Sequence, residues 1–373
     1  MRILFTGGGS GGHIFPIIAT ARQLNDIQSK EAVLDMYFLG AGGFDKQLLR
    51  KEGIKVKTIL AGKWRRYFSI WNFLDLLKIP IGFCQALGYL YFWMPDVVFS
   101  KGGYDSAAVV LAAWLYRIPV LIHESDAVPG FANRMAAKFS KRIAVSFASA
   151  ATHFPAKKTA LIGNPVRLKI IQYCLSINEA DKQKAEEILK IVSQKPIILI
   201  LGGSQGAQII NKIVLSVLPQ LLEKYEIIHQ CGLKNYQEVK AKFGQSSLPT
   251  DYHLFSFLEE EQMAAAYLLA DLIISRAGAG SIFEIAACAK PSILIPLLGA
   301  ASDHQRENAF NYAQTGTAVV LEQANLTQNL FLNEITKILG NPELRQKMSK
   351  NAKDFSHPEA AQKIAEELIE MGK

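Results

Sequence analysis

The chain reads Gly7-Gly-Gly-Ser-Gly-Gly-His-Ile-Phe-Pro16 directly after an apolar, strand-like run and directly before an apolar, helix-like one. Glycines allow a sharp turn and let a ligand come close to the backbone. The N–H groups at the start of the following helix point at any anion placed there. The stretch therefore favours a phosphate-binding loop over a purely structural tight turn.

His13 adds a titratable group to this loop. An imidazole on the ligand side of a glycine loop can relay a proton near neutral pH. The alternative is a histidine that only hydrogen-bonds the start of its helix. The residues alone leave both interpretations open.

The same stretch has the G-x-G-x-x-G spacing of dinucleotide-binding folds, at Gly7, Gly9 and Gly12. That fingerprint also requires an acidic residue about 20 residues later, after the second strand. Here the second predicted strand, Leu34 to Leu39, runs into Gly40-Ala-Gly-Gly43. The missing carboxylate counts against an NAD-dependent oxidoreductase.

The chain has 373 residues, which is more than one core normally supports, so two domains are expected. Its four cysteines lie far apart without metal-ligand spacing, so we expect neither a zinc site nor a disulfide framework. Met1 leads at once into the first strand and the glycine loop, which leaves no room for a secretory segment and predicts a cytosolic protein.

Charge is distributed unevenly between the two halves. Residues 1–166 contain 20 Lys and Arg against 10 Asp and Glu, whereas residues 167–373 contain 21 against 23. A basic surface in the first half predicts an anionic partner, which can be a nucleic acid, a phosphorylated substrate or a membrane leaflet.

An aromatic-rich segment lies in this basic half. Trp64 to Trp93 contains 10 aromatic residues, and Ile79 to Pro95 carries no charge. These 17 residues are at the lower limit for a membrane span and are interrupted by Pro80 and Gly82. We expect a buried or membrane-facing helix rather than a spanning one.

Strand-like and helix-like runs alternate along the chain, which predicts doubly wound parallel sheets. A second glycine loop, Gly202-Gly-Ser-Gln-Gly-Ala207, follows a strand as the first one does, so two similar α/β domains are expected. Ile143 to Ser146 is expected to close the first sheet, and Gly163 to Arg167 to form a hinge. The predicted strands are Arg2 to Phe5, Leu34 to Leu39, Val56 to Leu60, Asp96 to Ser100, Val120 to His123, Ile143 to Ser146, Pro196 to Leu201, Glu226 to Gln230, His253 to Phe257, Leu272 to Ser275, Ser292 to Pro296 and Ala318 to Leu321.

Polar clusters follow several predicted strands of the second half, where parallel sheets bind ligands. Ser204 suits a phosphate oxygen, although a turn serine is the alternative. Glu284 can accept hydrogen bonds from the two hydroxyls of a ribose. It can equally close a capping box with Ser281. The cluster from Asp303 to Asn308 is either part of a site or a solvated helix start.

No D-x-D motif follows a strand to hold a divalent metal against a diphosphate, so no metal and no cofactor are expected. Charge stabilisation of a leaving diphosphate then falls to helix N-termini and Arg167.

Together these motifs resemble the MurG family, in the same order and over nearly the whole chain. The matching segments are the first glycine loop, Lys101-Gly-Gly-Tyr104, His123-Glu124, Gly163-Asn-Pro-Val-Arg167, the second glycine loop, Ser275 to Glu284, and Asp303-His-Gln305 with Asn308-Ala309. The resemblance implies a GT-B fold of two Rossmann-like domains facing across a cleft. It implies an acceptor and membrane-facing domain over residues 1–166, a UDP-sugar-binding domain over 167–357, and a last helix, 358–373, that packs back on the first domain.

MurG enzymes transfer N-acetylglucosamine from UDP-N-acetylglucosamine to the C4 hydroxyl of N-acetylmuramyl-pentapeptide on undecaprenyl diphosphate, converting lipid I to lipid II for peptidoglycan and hence for cell shape and division. The resemblance implies this activity for an inverting hexosyltransferase at the cytoplasmic face of the inner membrane. Its partners would be UDP-N-acetylglucosamine, lipid I and an anionic membrane surface, with no nucleic acid.

The resemblance also implies the donor contacts. Ser10, Gly11 and Gly12 would lie by the sugar and diphosphate, and Arg167 and Ser204 by the diphosphate. Gln305 would bind sugar hydroxyls. The ribose and diphosphate would be held by Ala279, Gly280, Ser281, Ile282, Phe283 and Glu284.

Asp126 departs from the family pattern, because many members have Asn at this position. An ionised Asp only accepts hydrogen bonds, so its contact to the sugar differs from that of an Asn. For the base that takes the C4 hydroxyl proton, His13 is the first candidate and Asp126 the second.

Three alternatives remain at this point. A UDP-N-acetylglucosamine 2-epimerase of the same fold would need the nucleotide site but no lipid-facing aromatic segment. An NAD-dependent oxidoreductase could use the first loop but lacks the acidic partner. A non-catalytic membrane-surface protein would leave the polar clusters at the strand ends unexplained.

Overall fold

The computed structural model describes residues 1–8, 11–28, 34–42, 46–62, 70–175, 178–191, 195–203, 207–244, 247–299 and 303–373. For residues 28, 70–77 and 175 the structure describes only the backbone. The described chain divides into two compact units: residues Met1–Val166 together with His357–Lys373, and residues Arg167–Ser356.

The first unit contains a parallel sheet of seven strands. In spatial order the strands run β3-β2-β1-β4-β5-β6-β7. Their bounds are β1 Arg2–Thr6, β2 Asp35–Gly40, β3 Lys55–Thr58, β4 Val97–Ser100, β5 Val120–Glu124, β6 Arg142–Val145 and β7 Thr159–Leu161. The expectation that Ile143 to Ser146 closes this sheet is wrong, because β7 pairs with β6 and extends the edge by one strand.

The second unit contains a parallel sheet of six strands in the spatial order β10-β9-β8-β11-β12-β13. Their bounds are β8 Ile197–Leu201, β9 Glu226–Gln230, β10 Tyr252–Phe255, β11 Leu272–Ser275, β12 Ser292–Leu294 and β13 Ala318–Val320. Every residue of β8, β9 and β11 is buried, as in sheets covered by helices on both faces.

Helices connect the strands in both units. Their bounds are α1 Gly11–Gln28, α2 Lys46–Lys51, α3 Ile70–Trp93, α4 Ser106–Leu115, α5 Phe131–Ala136, α6 Ala148–Ala151, α7 Leu168–Leu175, α8 Glu179–Leu189, α9 Gln208–Leu222, α10 Tyr236–Ala241, α11 Glu260–Leu269, α12 Ala279–Ala287, α13 His304–Ala313, α14 Gln328–Leu339, α15 Pro342–Phe355 and α16 Ala360–Met371.

Capping residues explain where two of the late helices begin. The Thr327 hydroxyl accepts the Leu330 N–H at the start of α14, and the Asn341 side chain accepts the Leu344 N–H at the start of α15. Pro342 occupies the first turn of α15, where its missing N–H costs no helical hydrogen bond.

The last helix, α16, belongs to the first unit although it is distant in sequence. Its buried Ile364 and Leu368 join the core that contains Ile3 of β1 and Ile14 of α1. Burial of such side chains stabilises the packing by roughly 1.5–3 kcal/mol each. α16 therefore covers the same face of the first sheet as α1.

Helices α3, α4 and α5 cover the opposite face, where Leu90 and Val109 pack with Val98 and Ile122 of the sheet. Helix α3 has 24 residues and contains Pro80. Among the helices within the described ranges, none combines the length and the apolar content needed to cross a bilayer.

Candidate active site

In the first unit, the carboxyl ends of β1, β4 and β5 lie side by side because these strands are neighbours in a parallel sheet. The loops after β1 and β4 pack closely. The Gly8 N–H donates to the Gly102 carbonyl over 3.1 Å. A Cβ on Gly7 would stand only 3.0 Å from the Lys101 Cβ. A side chain at position 7 would thus crowd the neighbouring loop, so glycine suits this close packing as well as a ligand.

Helix α1 begins at Gly11, so Gly11 and Gly12 supply the first N–H groups of this helix. Gly12 is exposed and Gly11 is partly exposed. Both are therefore available to an anion. Ser10, the third residue assigned to this contact, lies outside the described residues.

His13 is half-buried in the first turn of α1, and its Nδ1 lies 3.1 Å from the Lys101 carbonyl oxygen. A carbonyl oxygen only accepts, so Nδ1 carries the ring proton and Nε2 is the basic nitrogen of the neutral ring. This is the tautomer that a general base acting through Nε2 requires.

Lys101 also carries an amine that is fully buried. Its Nζ contacts His123 Nδ1 at 2.6 Å and Asn164 Oδ1 at 3.3 Å, and it donates to the Ser125 hydroxyl. Burial lowers the pKa of Lys101 to about 7, against the opposing effect of the Glu124 and Asp126 carboxylates. The amine thus ties together the loops that follow β5 and β7.

His123 is neutral in this cluster. Its Nε2 donates to the Gly163 carbonyl over 2.9 Å, which leaves Nδ1 to accept from the Lys101 amine. Burial and the Lys101 charge hold the pKa of His123 well below its ordinary value. The sequence motif Lys101 to Tyr104 indicated a glycine turn here but not this buried lysine–histidine pair.

Glu124 anchors the loop that carries Asp126. Its carboxylate accepts the N–H groups of Asp126 and Gly130 at 3.0 and 3.1 Å and the Asn133 amide at 2.9 Å. Burial and the neighbouring Asp126 charge raise the pKa of Glu124. Asp126 itself is half-buried. Lys101 is the common neighbour of the two base candidates, through its carbonyl for His13 and through its charge for Asp126.

In the second unit, the ends of β8, β11 and β12 are adjacent. Gly202 and Gly203 follow β8. A Cβ on Gly202 would stand 3.0 Å from the Gln230 carbonyl oxygen, and Gly203 has φ +74°, a left-handed value that favours glycine. Ser204 lies outside the described residues.

Arg167 and Glu284 form a bidentate ion pair at the start of this unit. Arg167 Nε and Nη2 donate to the two carboxylate oxygens over 2.7 and 2.8 Å, and the Tyr267 hydroxyl donates to Oε2 over 3.2 Å. Arg167 is 8% exposed. A bidentate pair of this kind fixes both side chains, and sequence reasoning missed it because 117 residues separate the partners.

This pairing bears on the two donor contacts expected from the resemblance. A carboxylate offers about four acceptor positions, and the donors above fill three. Glu284 therefore has one acceptor position left among the contacts of the described residues.

The alternative of a capping box formed by Ser281 and Glu284 is wrong. Helix α12 begins at Ala279, and Gly278 is its N-cap residue, without a side-chain cap. Both Ser281 and Glu284 are thus inside the helix. The carboxylate is occupied by Arg167 and Tyr267 rather than by a helix-end N–H.

The N-terminus of α12 is open. A Cβ added to Gly278 or to Gly280 would have no neighbouring atom of the described residues within 4 Å. Ser281 is partly exposed, whereas Ile282 and Phe283 are buried, and the Ile282 N–H already donates to the Gly278 carbonyl over 3.1 Å. The geometry suits an anion held by helical N–H groups.

Gln305 and Asn308 join α13 to the neighbouring strand ends. The Gln305 side chain accepts the Leu297 N–H over 3.0 Å, after β12. The buried Asn308 amide donates to the Ala277 carbonyl over 3.3 Å, after β11. Asn308 is thus a structural link, while Gln305 is a partly exposed side chain at the strand ends.

Cys174 and Cys288 form a disulfide bond between the ends of α7 and α12. The expectation of no disulfide is therefore wrong. It rested on sequence spacing, and this pair is separated by 114 residues. Cys84 and Cys231 are free.

Over the described ranges no group of three His, Cys, Asp or Glu side chains could hold a metal ion.

Both halves of the chain match known sequence families. Residues 3–145 match the glycosyltransferase family 28 N-terminal domain, and residues 197–364 match the glycosyltransferase family 28 C-terminal domain. The two-domain α/β GT-B fold expected from the sequence is confirmed by these matches together with the two parallel sheets.

Full-length relatives agree. A UDP-N-acetylglucosamine–N-acetylmuramyl-(pentapeptide) pyrophosphoryl-undecaprenol N-acetylglucosamine transferase 2 of Bacillus cereus is 37% identical, over 99% of both chains. A transferase of the same description from Anaeromyxobacter sp. strain K is 34% identical, over 100% of this chain and 93% of its own.

Solved structures show the same fold. MurG of Acinetobacter baumannii is 29% identical with a TM-score of 0.75 and 99% coverage of both chains. The UDP-GlcNAc 2-epimerase of Neisseria meningitidis, solved bound to UDP-GlcNAc, has a TM-score of 0.67 at 16% identity, over 99% of this chain and 100% of its own, which is a likeness of fold alone. From its two domain matches and its full-length relatives, the chain belongs to glycosyltransferase family 28 and, within it, to the MurG family.

Proposed function

We propose that this chain transfers N-acetylglucosamine from UDP-N-acetylglucosamine to the C4 hydroxyl of undecaprenyl-diphosphate-linked N-acetylmuramyl-pentapeptide, the lipid I to lipid II step of peptidoglycan synthesis. The observation that carries the proposal is the 37% identity, across 99% of both chains, to a relative that bears this activity in its name. Epimerases share the fold at much lower identity.

The donor binds the second unit in this proposal. The open start of α12 provides N–H groups for the diphosphate, and the neutralising charge comes from Arg167. Glu284 accepts a ribose hydroxyl at its remaining position, and Gln305 binds a sugar hydroxyl beside β12. Ser204, Ala279, Gly280, Ser281, Ile282 and Phe283 complete the donor site in this proposal.

The acceptor binds the first unit, which carries the proposed base. His13 Nε2 takes the proton of the C4 hydroxyl, the hydroxyl oxygen forms a bond to the anomeric carbon, and UDP leaves with the electron pair of the broken bond. Direct displacement inverts the configuration at that carbon. Ser10, Gly11 and Gly12 lie by the sugar and diphosphate, and Asp126 is the second candidate for the base.

The α3–α5 surface, which we define as the exposed apolar side chains of these helices and of Met94 directly after α3, supports membrane association. It comprises Ile79, Ile81, Tyr91, Phe92, Met94, Leu111, Trp114, Leu115, Phe131 and Met135. The exposed cations Arg117, Arg134 and Lys138 accompany it. Exposed apolar side chains rimmed by cations suit the headgroup region of an anionic leaflet.

The chemistry of the substrate also supports a location at the membrane surface. Lipid I is anchored in the membrane by its undecaprenyl chain, so an enzyme acting on it must work at the bilayer surface. We place the protein peripherally at the cytoplasmic face of the inner membrane, where UDP-sugars are available. No nucleic-acid partner is proposed.

The test uses radiolabelled UDP-N-acetylglucosamine with a short-chain lipid I analogue. The proposal predicts acceptor-dependent appearance of label in the lipid product with stoichiometric release of UDP. A 2-epimerase would instead convert the donor to its 2-epimer without any acceptor, and that outcome would replace the proposal.

A further inference from the structure

Asp105 is a fully buried carboxyl group in the first unit for which the transfer mechanism above has no role. It follows the Gly102-Gly103 turn after β4 and occupies the N-cap position of α4, yet its side chain makes no cap hydrogen bond to that helix. Its Oδ2 accepts the Ala41 N–H over 2.9 Å. An Asp at this position normally caps its own helix, so the different placement needs an explanation.

The second carboxyl oxygen is the informative one. Within the described residues, Asp105 Oδ1 is buried and has no hydrogen-bond partner. Burial raises the pKa of Asp105 to about 6, against the opposing effect of the N–H groups of Ala41, Asp105 and Ser106. A buried oxygen without a hydrogen-bond partner costs folding free energy, so its presence calls for an explanation such as a catalytic role.

Oδ1 faces the first glycine loop. It lies 3.8 Å from the point where a Gly8 Cβ would stand and 2.9 Å from the corresponding point on Gly103. His13 approaches the same Gly8 point, with Cδ2 at 3.2 Å and Nε2 at 3.4 Å. The carboxyl oxygen and the basic nitrogen of His13 therefore flank one small space beside Gly8.

We propose that Asp105 is the positioning residue for His13, its carboxylate stabilising the imidazolium that His13 becomes when it accepts a proton. The inference rests on the proposed transferase function, in which His13 Nε2 removes the acceptor hydroxyl proton. That proton stays on Nε2 while the hydroxyl oxygen bonds to the sugar and UDP departs, and it then passes to water. An anion beside the ring favours the protonated form throughout this sequence.

Other charged groups lie near His13. The Lys101 carbonyl accepts the His13 Nδ1–H, while the Lys101 amine is bonded to His123, Ser125 and Asn164. The remaining carboxylates of this region, Glu124 and Asp126, act on the Lys101 amine. Of the carboxylates named here, Asp105 is the one that shares the Gly8 space with His13.

The competing explanation is that Asp105 only ties the segment after β2 to α4 through the Ala41 N–H. Asp105→Asn separates the two explanations because the amide oxygen still accepts that N–H, whereas the negative charge is lost. Glu226→Gln is the matched control, since Glu226 is also a buried carboxyl, bonded to His253 in the second unit over 2.6 Å.

The experiment is a double-mutant cycle with wild-type protein, Asp105→Asn, His13→Ala and the double variant, measured as kcat for transfer to a lipid I analogue. We expect Asp105→Asn to lower kcat by about 10- to 100-fold, equivalent to one or two pKa units of imidazolium stabilisation. In the His13→Ala background it should have almost no effect, and Glu226→Gln should leave kcat unchanged. An equal loss in both backgrounds, or no loss in either, overturns the proposal.

A second readout does not depend on transferase activity. NMR titration of His13 should show a pKa lower by about one to two units in Asp105→Asn, because removing an anion disfavours the imidazolium. Should the variant fail to fold, the wild-type His13 resonance itself should titrate in two steps, one from each coupled group. A single titration step in the wild type, or an unchanged His13 pKa in the variant, overturns the inference even if the enzyme is a transferase. If transfer is absent but the His13 pKa is shifted in the variant, only the proposed function is refuted.

Discussion

At the scale of single residues, we propose that Glu284 combines a structural and a binding role. Its two oxygens accept from Arg167 and Tyr267, which leaves one acceptor position among the contacts of the described residues. The sequence offered ribose binding or helix capping as alternatives. The structure replaces the second with an ion pair, so loss of the carboxylate should affect stability as well as UDP binding.

Glu284→Ala should therefore have two measurable effects. UDP binding should weaken by about 1–3 kcal/mol from the lost hydrogen bond, and the free energy of unfolding should fall by about 3–5 kcal/mol because Arg167 loses its counter-charge in a buried position. Calorimetry with UDP and urea unfolding measure the two separately. Tyr267→Phe is the control that keeps the ion pair. Wild-type UDP affinity in a destabilised Glu284→Ala would assign the residue to structure alone.

His13 has the tautomer of a base, and its removal should act on chemistry rather than on donor binding. We expect His13→Ala to lower kcat by about 10²–10⁴ with nearly unchanged UDP affinity. Steady-state kinetics at saturating donor provide the measurement. If His13→Ala loses only a few-fold and Asp126→Ala abolishes turnover, the base is Asp126.

At the scale of elements, the periodicity of the sequence predicted the buried strands of the sheets. It missed a short edge strand and the contacts between residues that are distant in sequence. Apolar runs such as Ile197–Leu201 form fully buried strands and are visible in the sequence. Thr159–Leu161 is a three-residue edge strand that is mostly exposed, so it carries no such signal. The Cys174–Cys288 bond and the Arg167–Glu284 pair depend on tertiary packing, which no local pattern records.

The disulfide between α7 and α12 should stabilise the second unit. A disulfide typically stabilises a fold by about 2–4 kcal/mol. Cys174→Ser should lower the free energy of urea unfolding by that amount, whereas Cys84→Ser, which removes an exposed free cysteine, should not. With dithiothreitol present, wild type and Cys174→Ser should unfold alike. A difference that persists under reduction would mean that the serine itself, and not the lost bond, causes the destabilisation.

The α3–α5 surface should bind anionic membranes through its apolar side chains and neighbouring cations. Leu115 is 51% exposed on α4, and Leu115→Glu should weaken sedimentation with phosphatidylglycerol vesicles without changing the melting temperature. Leu233→Glu alters a comparably exposed leucine, 64% exposed in the second unit, and should bind as wild type does. Equal binding to neutral vesicles, or equal loss in both variants, would contradict docking through this surface. The aromatic and basic residues of 63–69 lie outside the described residues.

At the scale of the whole molecule, the sequence predicted the family and the two-domain α/β fold because its motifs recur in a fixed order at strand ends. The order of the motifs predicts the fold, but it does not predict individual side-chain contacts such as those of Glu284. Asp126 and Asp105 mark where this chain needs its own explanation, since the first departs from the family pattern and the second occupies a buried position with an unmatched oxygen.

The transferase assignment is tested by the product formed from radiolabelled UDP-N-acetylglucosamine and a short-chain lipid I analogue. We expect a labelled disaccharide lipid whose new glycosidic bond at the C4 oxygen has the β configuration, inverted from the α-linked donor. Label that stays in a UDP-sugar in the presence of acceptor, or a product with the α configuration, would contradict it.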